Sequence, residues 1–308
     1  MAAQASIAMA RESEAELTDR FQEVIDHGFR LVAAILRTSG IAAALAANLA
    51  GTPLAAAPDA DSGFLIVQCG TLIDGVSEQP VRDRSVIIRN GRIAAIEAGR
   101  VNHRGAVLDL TEYTCLPGLI DMHTHLTDRP EDTADLRVYF RRTPEEQAQL
   151  SRENAEATLR AGFTTVRNVG TYVAWADREL RDSIDRGDVM GPRVQACGFY
   201  LTVPGGGGDL VVPGPRPDGD GPRFHAGVAR GPEQFRRRAR EAIEGGADVI
   251  KVIASGAVLA YGGVPGEPEM TREEIAAVVQ EAHAAGLKVA AHAHGLYGDR
   301  RASCRERV

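Results

Sequence analysis

The sequence predicts an α/β fold in which a small β unit precedes a series of parallel strand–helix repeats. Three observations carry this expectation. Between residues 63 and 116 short β-branched runs follow one another, and two of them flank Asn90-Gly91, the dipeptide that most strongly signals a two-residue hairpin. Beyond residue 117 strand-like runs alternate with helix-like stretches, the rhythm of βαβ units and a parallel sheet. The helix boundaries are written locally as well. Thr143-Pro144-Glu145-Glu146 and Thr271-Arg272-Glu273-Glu274 read as capping boxes, and Gly162 and Gly286 as C-terminal stops.

Taken in order, the β unit comprises Phe64-Leu65-Ile66-Val67, Ser85-Val86-Ile87-Ile88-Arg89, Arg92-Ile93-Ala94-Ala95-Ile96 and Ala106-Val107-Leu108-Asp109-Leu110. The first barrel-type strand is the apolar run entering Asp121-Met122-His123-Thr124-His125, with Pro117-Gly118 punctuating the chain before it. A helix from Pro144 to Gly162 leads to the strand Phe163–Asn168. A helix over Trp175–Arg186 leads to Arg193–Ala196, one over Pro232–Ile243 to Asp248–Ile253, and one from Thr271 to Gly286 to Leu287–His292. The result is five parallel strands.

Length and composition bound the function. A chain of 308 residues accommodates one barrel or two smaller domains. The net charge of −7 and the lack of a basic stripe exclude a nucleic-acid binder. Four scattered cysteines, Cys69, Cys115, Cys197 and Cys304, argue against a disulfide scaffold or a thiolate zinc site. Residues 41–50 are apolar but too short to span a membrane. Arg30 and Arg37 precede them and Ala55-Ala56-Ala57 follow, the order of a secretory signal peptide. The acidic residues upstream, from Glu12 to Asp26, do not suit a signal, and a misassigned start codon reconciles the two. The expectation is export to the periplasm or beyond with removal of residues up to about 57, against a loose amphipathic helix on a cytoplasmic protein. The chain divides into a signal-like segment (1–60), the β unit (61–116), the strand–helix repeats (117–295) and an atypical polar tail (296–308).

In a parallel barrel the reactive groups stand at the C-terminal ends of strands. His123 and His125, two apart on a strand, point to one side and supply half of a metal site. Read alone, a bare His-x-His is equally a pair of unrelated histidines. Asp121 is placed to hold a histidine ring from behind. Lys251 lies within Val249-Ile250-Lys251-Val252-Ile253, where an ammonium is costly and desolvation favours the neutral amine; taken alone, it reads first as a strand-edge lysine reaching water. His292 and His294 form a second His-x-His, with His292 at the strand end and the better ligand, and His294 a ligand, substrate contact or bystander. His283 in mid-helix, His27 and His103 read as structural or solvated, and His225 lies in a Gly/Pro-rich loop. The run Val203-Pro204-Gly205-Gly206-Gly207-Gly208-Asp209 lacks the lysine and helix start of a phosphate loop and reads as a mobile rim.

The run Pro117-Gly118-Leu119-Ile120-Asp121-x-His123-Thr124-His125-Leu126 resembles the first-strand signature of the amidohydrolase superfamily. The segments Thr164-Thr165-Val166-Arg167-Asn168-Val169-Gly170, Ile250-Lys251-Val252-Ile253-Ala254-Ser255-Gly256 and Ala291-His292-Ala293-His294-Gly295 look like its prolidase-like and imidazolonepropionase-related members. The resemblance covers about residues 63–295. It implies the N-terminal part of a TIM-type (β/α)8 barrel, with about five strands present, preceded by a β-sandwich unit. It implies two divalent metals, zinc or else manganese or cobalt, held by His123, His125 and His292 and bridged by a carboxylated Lys251. It further implies a small-molecule or dipeptide substrate, cleavage of an amide C–N bond by metal-activated water, and the possibility of a homo-oligomer. The alternatives are a non-catalytic metal-binding fragment and a hydrolase of cyclic amides or imidazolones. Similar members carry Gly-Gly-His in the glycine-rich loop, and here Gly207 stands in the histidine's place. The family's general-base aspartate and sixth-strand histidine have no counterpart before Val308, so the chain is expected to be an incomplete form.

Overall fold

The structure, a computed structural model, describes residues 64–101, 105–261 and 263–294. The signal-like segment, His27, His103 and the tail from 296 lie outside the described residues. The chain parts between Pro117 and Gly118 into two compact units.

The first unit is a mixed four-stranded sheet in the order β3-β2-β1-β4. Its strands are β1 (Phe64–Leu72), β2 (Val81–Arg89), β3 (Arg92–Ala98) and β4 (Ala106–Cys115). Strands β2 and β3 join through Asn90-Gly91, both at positive φ (52° and 71°), as a hairpin turn of the I′ kind requires. Strand β4 lies parallel to β1, with a register irregularity between Cys69 and Thr71. A Cβ on Gly70 would sit 1.9 Å from the Thr111 carbonyl oxygen, so only glycine passes there. Cys69 and Cys115 form a disulfide with Cα atoms 5.8 Å apart. This corrects the expectation drawn from scattered cysteines. The two are 46 residues apart in sequence, and it is the parallel pairing of β1 with β4 that makes them neighbours, which no spacing rule shows.

The second unit follows the expected rhythm. Strands β5 (Leu119–Thr124), β6 (Phe163–Asn168), β7 (Arg193–Gln195), β8 (Tyr200–Leu201), β9 (Val249–Ile253) and β10 (Lys288–His292) are all parallel to their partners. They run β5-β6-β7 and then β8-β9-β10. The predicted third strand is β7, which pairs with β6, and a short strand not predicted, β8, follows it and pairs with β9. The break has a definite cause. Gly198 turns at φ +81°, and the buried Asp177 carboxylate accepts the N–H of Cys197 (2.7 Å) and of Gly198 (3.2 Å). Asp248 spans the gap, donating its own N–H to the Ala196 carbonyl (2.8 Å) and accepting the Ala196 N–H at its carboxylate (2.9 Å). The amides of Ala196, Cys197 and Gly198 therefore each have a partner.

Helices α1 (Pro144–Arg160), α2 (Ala176–Asp185), α3 (Pro232–Glu244) and α4 (Arg272–Ala284) fill the connections. Both predicted capping boxes form, Thr143 with Glu146 and Thr271 with Glu274. His283 sits in the last turn of α4 rather than in mid-helix. The main core gathers Phe199, Leu201, Phe235, Ile250, Val252, Met270 and Val278 beneath α3 and α4, and a second core packs Leu126, Val166, Leu180 and Val194. Among the described residues no helix is long and apolar enough to cross a membrane.

Candidate metal centre

The apolar strand β9 is buried at every position, and Lys251 at its centre is 2 % exposed. Among the described residues its amine makes no hydrogen bond or ion pair. Burial, with the charge of Arg167, lowers its pKa to about 8, against an opposing pull from Cys197. The same ammonium is felt by His123, His125 and His292, each of whose pKa values it depresses. The strand ends therefore bring these four side chains into one electrostatic neighbourhood.

Each imidazole is held in its neutral form chiefly by burial. The pKa falls to about 4 for His125 and for His292, and His123 is shifted in the same direction. The rings of His123 and His125 lie 5.3 Å apart. His125 Nδ1 is 3.2 Å from the Gly170 carbonyl oxygen. A carbonyl only accepts, so the proton sits on Nδ1 and Nε2 keeps its lone pair. The Tyr200 hydroxyl stands 3.4 Å from the same Nδ1. The Nε2 of His292 is buried and has no hydrogen-bond partner, an arrangement that costs free energy unless something else meets it.

Neutral imidazoles, an unpartnered ring nitrogen and a poised amine are the donor chemistry a divalent metal takes. Among the described residues no three His, Cys, Asp or Glu side chains close on one point. The donors come instead as the His123/His125 pair, His292, and the amine of Lys251. Cys197, the free thiol nearby, is fully buried and its pKa is pushed well up by burial and by Asp177, so it stays protonated and is no ligand.

Two supporting residues differ from expectation. The Asp121 carboxylate accepts the backbone N–H of His123 at 2.9 Å, so it orients that histidine through the main chain and not through the ring. His294 donates its N–H to Ser255 Oγ (2.7 Å) and packs its ring against His292 at 4.5 Å. The glycine-rich loop is tied down. Gly207 N–H donates to the Glu269 carboxylate (3.0 Å), Gly205 N–H to Asp209 (2.8 Å) and Gly208 N–H to Thr202 Oγ1 (3.3 Å). With its amides so engaged it is neither a phosphate cradle nor the free rim expected. A side chain at Gly207 would meet Ala257 Cβ at 2.7 Å, so the loop leaves no room for one.

Sequence reasoning missed Tyr139, Tyr172, Tyr200 and Asp128. They come from three separate segments, Asp128 and Tyr139 from the β5–α1 connection, Tyr172 from the loop after β6 and Tyr200 from β8, and carry no spacing signal. The acid three residues after His125 was the one local clue.

The amidohydrolase family model matches residues 114–305. Ochratoxinase of Aspergillus niger is 31 % identical over 271 residues, covering 82 % of this chain and 54 % of that protein. The crystal structure of a Xaa-Pro dipeptidase with methionine in its active site superposes with a TM-score of 0.70 at 35 % identity, over 78 % of this chain and 59 % of that one. The crystal structure of the Aspergillus niger ochratoxinase superposes with a TM-score of 0.65 at 27 % identity, over 78 % and 57 %. The chain belongs to the amidohydrolase family, and its second unit is part of that family's barrel. It spans about half the length of the curated relative it matches.

Proposed function

We propose that this chain carries the metal-binding part of a hydrolase that cleaves an amide C–N bond in a small, dipeptide-like substrate. The observation that carries the reading is the gathering of neutral His123, His125 and His292 around the buried, unpartnered amine of Lys251. His125 is pre-oriented by Gly170 and Tyr200, and His123 by Asp121. Lys251, whose pKa burial lowers to about 8 and so brings a fraction of neutral amine within reach near neutral pH, adds to carbon dioxide. A nitrogen–carbon bond forms, one proton leaves, and the anionic carbamate offers two oxygens beside the histidines. A pair of divalent metals bound there would supply Lewis acidity toward the substrate carbonyl and an acidified water. The protein's share is to hold these donors at strand ends and to wall the mouth with Tyr172 and Tyr200. No carboxylate among the described residues is assigned the proton transfer to the leaving amine. The relatives named for prolyl dipeptides and for ochratoxin point to a C–N bond next to an amino-acid unit.

The test is a zinc titration of the 308-residue chain and its His292→Asn variant, followed by a dipeptide panel with and without chelator. Zinc binding that H292N weakens, with chelator-sensitive turnover, supports the reading. Zinc binding without turnover supports the metal-binding fragment instead, and a chain that takes up no zinc overturns both.

A further inference from the structure

The segment that follows His125 holds a second acidic feature which metal binding does not use. Three side-chain amides clamp it. Asn168 Oδ1 accepts the Leu126 N–H (2.7 Å), Gln147 Nε2 donates to the Thr127 carbonyl (2.6 Å), and Asn154 Nδ2 donates to the carbonyls of Leu126 and Asp128 (2.9 Å each). Asp128 itself donates its N–H to the His125 carbonyl (3.2 Å). Its carboxylate is thus fixed at the C-terminal mouth of β5, one tight turn from a candidate metal ligand.

That carboxylate is only partly exposed, and it has one hydrogen-bond partner, the Tyr139 hydroxyl at 2.9 Å. Among the described residues it has no ion-pair partner. Arg142, the cation in its field, is committed to Asp132 (2.9 Å) and Gln147 (3.2 Å). From Tyr139 an aromatic wall runs back to the candidate metal centre. Tyr139 meets Tyr172 edge-on at 5.3 Å, Tyr172 meets Tyr200 at 5.3 Å, and the Tyr200 hydroxyl reaches His125. The Tyr172 hydroxyl is anchored on the Gly207 carbonyl (3.2 Å), so the wall is tied at both ends.

A desolvated carboxylate without a cation is costly. Departures of this kind from local packing rules collect at functional sites. A carboxylate beside aromatic faces is also the pairing that recognises ammonium groups, by charge on one side and by ring quadrupole on the other. We infer that Asp128, with the Tyr139–Tyr172–Tyr200 wall, seats a primary ammonium group of the substrate, so that the preferred substrates are amides carrying a free amine. This rests on the amide-hydrolase reading above and narrows its substrate class. Asp128 touches the substrate's cation and takes no part in bond cleavage.

Isothermal titration of the zinc-loaded 308-residue chain with L-leucinamide and with N-acetyl-L-leucinamide tests it, since acetylation removes the cationic amine. The expected result is roughly tenfold tighter binding of the free amine, the scale of one charge-assisted hydrogen bond. Asp128→Asn keeps an acceptor for Tyr139 and removes the charge; it should erase the preference. Tyr139→Phe, which keeps the carboxylate, should retain the preference, and it serves as the second variant if D128N melts early. Equal binding of the two amides by the wild type, or a preference that survives D128N, overturns the inference and leaves the hydrolase reading standing. Binding of neither amide overturns both.

Discussion

At the scale of single residues, Lys251 and His292 carry the sharpest expectations. Incubated with zinc and isotopically labelled bicarbonate, the wild-type chain should show a carbamate carbon resonance. Lys251→Met, close to isosteric and lacking the nitrogen, should lose that resonance and bind less zinc. Unchanged signal and metal content in K251M would remove Lys251 from the centre. His292→Asn addresses the unpartnered buried Nε2. It should weaken zinc binding by at least roughly tenfold, because even residues that only support a ligand cost 10–100-fold on mutation. Neither residue's role was readable with certainty from its neighbours. A lysine in an apolar pentapeptide fits a strand edge as well as a core. Only the complete burial of β9, with β8 on one side and β10 on the other, removes the route to water.

At the scale of elements, two devices hold the helices and the long loop. Glu274 closes the capping box of α4, and its other oxygen accepts the Gly231 N–H at 2.7 Å at the start of α3. Thr271→Ala should cost about 1 kcal/mol, an ordinary cap loss. Glu274→Ala also breaks the part-buried bond to the Gly231 N–H, adding about 1 kcal/mol; chemical denaturation of the two variants compares them, and equal losses would remove the bridge. The second device is His225, set between Asp209 (2.5 Å) and Asp220 (2.8 Å). Burial alone would lower its pKa, but the two carboxylates outweigh burial and raise it above 6.5. A raised histidine stabilises the fold fully below its unfolded value and loses that contribution as pH climbs through the folded value. Asp220 is lowered below 3.8, by His225 and Arg216 against the effect of burial, so its share is lost as pH falls through the lower value. Between these limits the loop spanning residues 202–230 should resist limited proteolysis best, and it should open as the solution passes above the His225 value. His225→Gln should flatten that alkaline limb, and a profile unchanged in the variant would show that the clamp does not set it.

At the scale of the whole molecule, the disulfide and the first barrel strand make the predictions. Cys69–Cys115 cross-links neighbouring strands of the first unit. Disulfides persist in oxidising compartments, and together with the signal-like N-terminus this one supports the proposal of export. Mass spectrometry of protein from the culture medium or periplasm should find the bond formed and the N-terminus processed near residue 57. A reduced cytoplasmic product beginning near Met1 would sink the proposal. Cys115→Ser should lower stability by about 2–4 kcal/mol. On β5, Leu119, Ile120 and Met122 are 44 %, 62 % and 47 % exposed, and among the described residues this strand has β6 on one side only. Apolar strands with a free edge pair with other chains. The 308-residue chain should therefore self-associate in size-exclusion chromatography, and Ile120→Lys should shift it toward monomer.

The fold class was legible because it is local. Hydrophobic period, Asn90-Gly91, the Thr143 and Thr271 capping boxes and the closing glycines each act within a few residues, and all of them recur in the structure. His123, His125 and His292 were legible as candidates because a strand's two-residue period and its C-terminal end are also local facts. What the sequence could not settle depends on contacts between distant segments. The Cys69–Cys115 bond needs the parallel pairing of β1 with β4. The break between β7 and the additional strand β8 needs Asp177, twenty residues before Cys197, to accept two amides. The Asp128–Tyr139–Tyr172–Tyr200 wall needs three separate segments folded onto one mouth. By itself the sequence determined which segments are strands and helices and which side chains stand at strand ends. The tertiary structure alone decided which of those side chains share one neighbourhood, where desolvation lowers the pKa of Lys251 and of all three histidines.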